Sequence, residues 1–255
     1  MYYRSPGKGK PVVLLHGFCE TGQVWDSFYP QLAKEHHILI PDLPGFGKSD
    51  PLPAGFRIKD VAESVFQWMH SLKIEKAAVI GHSLGGYVAL ELAKAHPGAI
   101  SGLGLFHSTA FADTDEKKET RNKVIEFVKN NSVEVFADTF IPQLFYTNNR
   151  SRLEADVNQM VKIARATALE TLVEYTRAMR DRNDCTSVLK ELDTPILFIA
   201  GDRDTSVPLE KSQEQVPMIK NPVFHVLKDT GHMGMFESKE LALKFVKEFL
   251  DIVPA

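Results

Sequence analysis

Ala77-Ala78-Val79-Ile80-Gly81-His82-Ser83-Leu84-Gly85-Gly86-Tyr87-Val88-Ala89-Leu90 decides the fold. Ala77 to Ile80 is a short apolar run, which suits a strand buried on both faces. From Leu84 to Ala95 the apolar residues Leu84, Val88, Leu92 and Ala95 recur at helical spacing. Between them, Gly81-His82-Ser83-Leu84-Gly85 matches G-x-S-x-G, a serine on a strained strand-to-helix turn. Glycines suit such a turn because neighbouring backbone must come close without Cβ clashes. A helix starting at Leu84 aims free N–H groups and its positive dipole end at the serine, where an oxyanion would develop. Taken alone, the pattern also suits a plain glycine-rich turn between buried elements.

Upstream, Pro11 to Phe18 reads as an apolar strand ending in His16-Gly17. Thr21 is placed to cap a helix that buries Val24, Trp25, Phe28 and Leu32. His37 to Asp42 is the next buried strand, and Leu43 to Asp50 must be a loop. Gly47-Lys48-Ser49 invites a nucleotide-loop reading, but that motif requires glycine where this chain has Asp42. Pro51 and Pro53 also forbid the helix that must follow. An amphipathic helix from Ile58 to Leu72 leads into the opening stretch, and Ser101 to Phe106 is another strand. Strands and helices thus alternate, which implies an α/β fold with a doubly wound, mostly parallel sheet.

From about residue 110 to 184 only helical patterns occur, four in number, around Val124–Val128, Val133–Phe140, Leu153–Ala164 and Leu169–Met179. Strands resume at Pro195–Ala200 and Pro222–Leu227, and an amphipathic helix through Leu241 and Leu250 closes the chain. The expected organisation is a core of residues 1–109 and 185–255 with a helical insertion of residues 110–184.

Composition narrows the function classes. A hydrophobic fraction of 44% with 25% charged residues is that of a globular domain able to bury a large core. A net charge of −3 without a Lys/Arg cluster argues against a nucleic-acid partner. Cys19 and Cys185 are too few and too far apart for a disulfide framework or a metal site. No apolar run is long enough to cross a membrane, and Met1 to Gly7 lacks the apolar core of a signal peptide, so a cytoplasmic location is expected.

A serine hydroxyl needs a base within hydrogen-bond reach and an acid to orient that base. Gly201-Asp202-Arg203-Asp204 and Gly231-His232 follow consecutive strands, in loops at the sheet edge where open parallel sheets place their sites. Either Asp202 or Asp204 could serve as the acid. His225 alternates within a strand and reads as structural, while His82 reads as supporting the elbow through its backbone. His107, at a strand end near the insertion, is a weaker pocket candidate. The N–H groups of Phe18 and Leu84 pair as a candidate oxyanion hole, with Gly17 letting the turn fold inward. Cys19 reads as a small buried thiol more readily than as a pocket residue.

His16-Gly17-Phe18, Asp42 to Ser49, Gly81 to Gly86, Gly201 to Asp204 and Gly231-His232 together resemble the α/β-hydrolase superfamily, in its serine-hydrolase branch of esterases, haloperoxidase-like enzymes and carbon–carbon bond hydrolases. The resemblance implies a triad in the order Ser83, Asp204, His232, because Gly-x-x-Asp-x-x-x-Pro fits Gly201, Asp204 and Pro208. It also implies that residues 110–184 are a helical cap over the site, inserted after the sixth-strand position, and neither metal nor cofactor. Serine at position 83 argues against the branches that use aspartate there. The expected activity is cleavage of a small-molecule carboxylic ester through an acyl-enzyme, with carbon–carbon hydrolysis or a ligand-binding receptor as alternatives. Phe111, Phe136, Phe140, Ile141, Leu144, Phe145 and Met235 are candidates for an apolar pocket or for cap core.

Overall fold

The computed structural model describes residues 1–254. Seven strands form one sheet: β1 (Tyr3–Arg4), β2 (Lys10–Leu15), β3 (His36–Pro41), β4 (Ala77–His82), β5 (Ile100–Phe106), β6 (Ile196–Gly201) and β7 (Pro222–Leu227). Their order is β1-β3-β2-β4-β5-β6-β7. All pairs from β3 to β7 are parallel, and the two-residue β1 adds an antiparallel edge to β3. The doubly wound, mostly parallel sheet expected from the alternating pattern is therefore present. From β2 the chain goes to β3 on one side, then returns to β4 on the other. That reversal opens a crevice at the carboxyl ends of β2 and β4, where Leu15 pairs with Gly81. Residues of β4 and β5 are buried throughout, which explains their near-continuous apolar runs.

The helices are α1 (Tyr29–Leu32), α2 (Ile58–Ser71), α3 (Leu84–Ala95), α4 (Asp115–Asn130), α5 (Val133–Leu144), α6 (Glu154–Arg165), α7 (Leu169–Arg180), α8 (Thr186–Glu191), α9 (Leu209–Gln215), α10 (Gly234–Glu237) and α11 (Lys239–Ile252). One expectation needs correction. Thr21 caps only a four-residue 3₁₀ turn, Gly22–Trp25, and the short α1 starts separately at Tyr29 with Pro30 in its first turn. A continuous helix would put Pro30 in its interior, which costs a hydrogen bond and a clash. The buried set is nonetheless as read: Val24, Trp25, Phe28 and Leu32 are all inside. Trp25 and Phe28 both pack on Phe106 of β5, with ring centroids 5.6 and 6.1 Å away.

Between β5 and α8 the chain forms only helices, α4 to α7. Thr114 and Ser132 cap α4 and α5 by accepting from Lys117 and Val135 N–H groups. α5 packs on α6, and α4 on α7. Two anchors tie these helices to the sheet. The Phe18 ring after β2 meets Phe136 and Phe140 of α5 at 6.4 and 6.1 Å. Tyr175 of α7 donates its hydroxyl to the Pro44 carbonyl at 2.9 Å and packs on Phe46 at 4.6 Å. No helix among the described residues is long and apolar enough to cross a membrane.

Candidate active site

Ser83 stands at the tip of β4 with φ 49° and ψ −113°, a conformation that costs a non-glycine residue roughly 1–3 kcal/mol. The surroundings enforce it. Ser83 N–H donates to the Phe106 carbonyl at 3.0 Å, and its own carbonyl accepts from Gly86 N–H and from the Ser108 hydroxyl. A Cβ on Gly81 would come within 2.2 Å of the Gly85 backbone, and one on Gly85 within 2.6 Å of the Leu15 carbonyl. Only glycines at these two positions let strand, helix and β2 approach so closely.

His232 lies in the loop after β7, and Asp204 in the loop after β6. His232 Nδ1 is 2.7 Å from Asp204 Oδ2. The other carboxylate oxygen accepts the N–H groups of Ser206 and Val207 at 2.8 and 2.9 Å. Asp202, by contrast, accepts from Thr230 N–H at 3.2 Å and holds the turn. A second histidine also reaches the acid: His107 Nδ1 sits 3.0 Å from the same Asp204 oxygen, fully buried. Burial opposes charge on Asp204, but His232 and His107 outweigh it and hold the carboxyl far below the usual carboxylate range. Burial in turn keeps His107 below its ordinary value despite Asp204. No hydrogen bond joins the Ser83 hydroxyl to His232 in this structure, although both line one cavity. Such contacts commonly tighten only when substrate is bound. Donor atoms of His107, Asp204 and His232 fall within 4.8 Å of one another. A metal there would have to displace the two His–Asp bonds that already use them.

The His232 loop is held from two sides. His232 N–H donates to the Leu144 carbonyl at the end of α5 at 2.7 Å. Buried Glu237 accepts the N–H groups of Gly231 and Met233 with one oxygen, and Tyr146 N–H and Asn149 Nδ2 with the other. Beneath the site lies a buried pair, Glu20 and His82, 3.0 Å apart, of which the sequence did not single out Glu20. Glu20 also accepts Gly17 N–H, while the far nitrogen of His82 meets the His232 carbonyl at 2.9 Å. His82 thus acts through its side chain, which corrects the backbone role expected for it. Burial opposes both charges, yet each offsets the other's penalty: His82 is raised and Glu20 lowered from their ordinary values. The N–H groups of Phe18 and Leu84 meet no acceptor among the described residues. Cys19 is fully buried with its thiol pushed up by burial, and it does not line the cavity.

The cavity at Ser83 is about 400 Å³ and is walled by Phe18, Tyr87, Phe136, Phe140, Leu144 and His232. Of the other pocket candidates, Ile141, Phe145 and Met235 are buried as core, and Phe111 lines a neighbouring cavity. The wall is also more polar than expected, with Lys117, Thr120, Arg121, Thr139 and Gln143 contributing. His225 is structural, its ring stacked on Phe245 at 3.7 Å.

A family model described as alpha/beta hydrolase fold matches residues 10–239. The chain is 30% identical over 253 residues to the dihydrolipoyllysine-residue acetyltransferase component of the acetoin cleaving system of Pseudomonas putida, covering 95% of this chain but 64% of that protein. It is 26% identical over 262 residues to the pimeloyl-[acyl-carrier protein] methyl ester esterase of Methylococcus capsulatus, covering 98% of each. Among solved structures, a malate-bound thermophilic esterase from Thermogutta terrifontis superimposes with a TM-score of 0.94 at 27% identity, over 100% of this chain and 94% of that one.

Proposed function

The chain belongs to the alpha/beta hydrolase fold family, and from that premise we propose that it is a serine hydrolase that cleaves carboxylic esters through an acyl-enzyme. One observation carries the proposal. Ser83, on its strained turn, shares a cavity with His232, whose Nδ1 is held by a carboxylate below its ordinary range. With Asp204 ionised, His232 carries its proton on Nδ1 and presents the Nε2 lone pair to the cavity. Ser83 Oγ attacks the ester carbonyl while its proton passes to Nε2. The resulting oxyanion takes the two unpaired N–H groups of Phe18 and Leu84, an interaction worth roughly 3 kcal/mol per donor in comparable sites. Collapse expels the alcohol, which receives the proton from Nε2. Water then attacks the acyl-enzyme, giving its proton to the same nitrogen, and Ser83 leaves with it as the acid is released.

A fluorophosphonate probe is expected to label the chain once and p-nitrophenyl esters of graded length to be turned over. Ser83→Ala should abolish both. Labelling that survives this substitution, or an intact label with no ester turned over at any length, would overturn the proposal.

A further inference from the structure

Resting on the ester-hydrolase proposal, we infer that Arg121 and Lys117 form an anion subsite in the Ser83 cavity, which selects esters bearing a second, ionised carboxylate on the acyl chain. Both residues lie four apart on one face of α4 and both line the cavity. Their charges are not cancelled from behind. Asp113, with no exposed side-chain surface, pairs with Arg182 at 2.7 Å and with Arg121 Nε at 3.1 Å. Arg182 is itself committed to the Phe111 and Met179 carbonyls and lies over the Tyr87 ring at 4.1 Å. One carboxylate therefore serves two guanidiniums, and a positive charge is left over at the wall.

Arg121 uses only Nε on protein, so its terminal nitrogens have no acceptor among the described residues. Lys117 donates only to the neutral carbonyl of Ser206 at 2.8 Å. Among the described residues the sole acid in the cavity lining is Glu20, already spent on His82 and Gly17. Glu116, Asp184 and Glu214 line the neighbouring cavity, which Lys117 also borders, with Glu214 paired to Lys211; Arg121 lines the Ser83 cavity and not that one. A guanidinium fixed through Nε presents its remaining fork to a carboxylate, and in a half-buried cavity the attraction is stronger than in water.

The test compares monomethyl glutarate with dimethyl glutarate, which has the same chain without the charge, and measures glutarate binding by calorimetry. In the native enzyme the charged ester should have the higher kcat/KM, by about tenfold or more, and added salt should narrow the ratio. Arg121→Gln should remove most of that preference and weaken glutarate binding by a similar factor, while Arg121→Lys restores part of both. Should Arg121→Gln fail to fold, Lys117→Gln is read in the same way. A native enzyme that hydrolyses dimethyl glutarate but neither prefers the charged ester nor binds glutarate overturns the subsite. Failure to hydrolyse either glutarate ester and every p-nitrophenyl ester, with glutarate binding still dependent on Arg121, overturns the ester-hydrolase proposal and supports the subsite.

Discussion

Asp204 accepts two hydrogen bonds on each carboxylate oxygen, from two backbone N–H groups and from two histidines. An asparagine there cannot satisfy four donors, because its NH2 group must face one pair of them. In the proposed mechanism the consequence is the wrong His232 tautomer, with its proton on the nitrogen that should act as base. In serine proteases this change lowers kcat about ten-thousandfold, so Asp204→Asn is expected to lose roughly a thousandfold or more. Asp202 accepts a turn N–H and lies 3.9 Å from half-exposed Arg203 Nε, and Asp202→Asn should cost about 1 kcal/mol of stability and little activity. kcat of both variants on p-nitrophenyl acetate decides the matter. A crippled Asp202→Asn beside an active Asp204→Asn would reverse the assignment.

At the scale of elements, the loop after β7 is positioned by the helical segment and not by the sheet alone. Glu237 of α10 ties Gly231 and Met233 to Tyr146 and Asn149, beyond the end of α5, and the Leu144 carbonyl takes the His232 N–H. The α5 helix therefore has two effects: its aromatic face walls the cavity, and its last carbonyl fixes the His232 backbone. Glu237→Gln keeps the shape but turns an NH2 group toward N–H donors whichever way the amide lies. A loss of about 2 kcal/mol in denaturant unfolding is expected, together with a lower kcat. Unchanged stability and kcat would show that the loop does not depend on Glu237.

Over the whole molecule, the Glu20–His82 pair links the turn after β2, the end of β4 and the His232 backbone into one unit. Its effect on stability depends on pH with a definite sign. His82 is raised above its ordinary 6.5, so its contribution is full below that value and is lost as pH rises through the raised one. Glu20 is lowered from 4.5, so its contribution is full above that value and is lost as pH falls through the depressed one. Glu20→Gln should therefore destabilise by about 3 kcal/mol near pH 6, as for a broken buried pair, with the deficit shrinking as pH rises through the raised value of His82. Thermal melts of both proteins across that range are the measurement. A deficit constant with pH would mean that the pair is not ionised in the fold.

The sequence by itself determined the alternation of strands and helices, the four helices between β5 and α8, the elbow at Ser83, and His232 with either Asp202 or Asp204 as partner candidates. These were legible because apolar period, glycine placement and turn residues are local signals, readable within a few positions. What only the tertiary structure decided acts across long separations. Glu20 meets His82 over 62 residues, His107 meets Asp204 over 97, and Glu237 meets Tyr146 over 91. No local pattern marks such groups, since a buried acid or histidine is distinguishable from a surface one only by what the fold brings against it. The same reason explains the short α8, α9 and α10, which span too few turns to show a period, and the break between Trp25 and Tyr29, where packing on Phe106 and the ring of Pro30 override the helical spacing. It also explains the cavity wall: Phe136 and Phe140 of α5 line it while Ile141 on the same helix is core, a division set by where α5 meets Phe18.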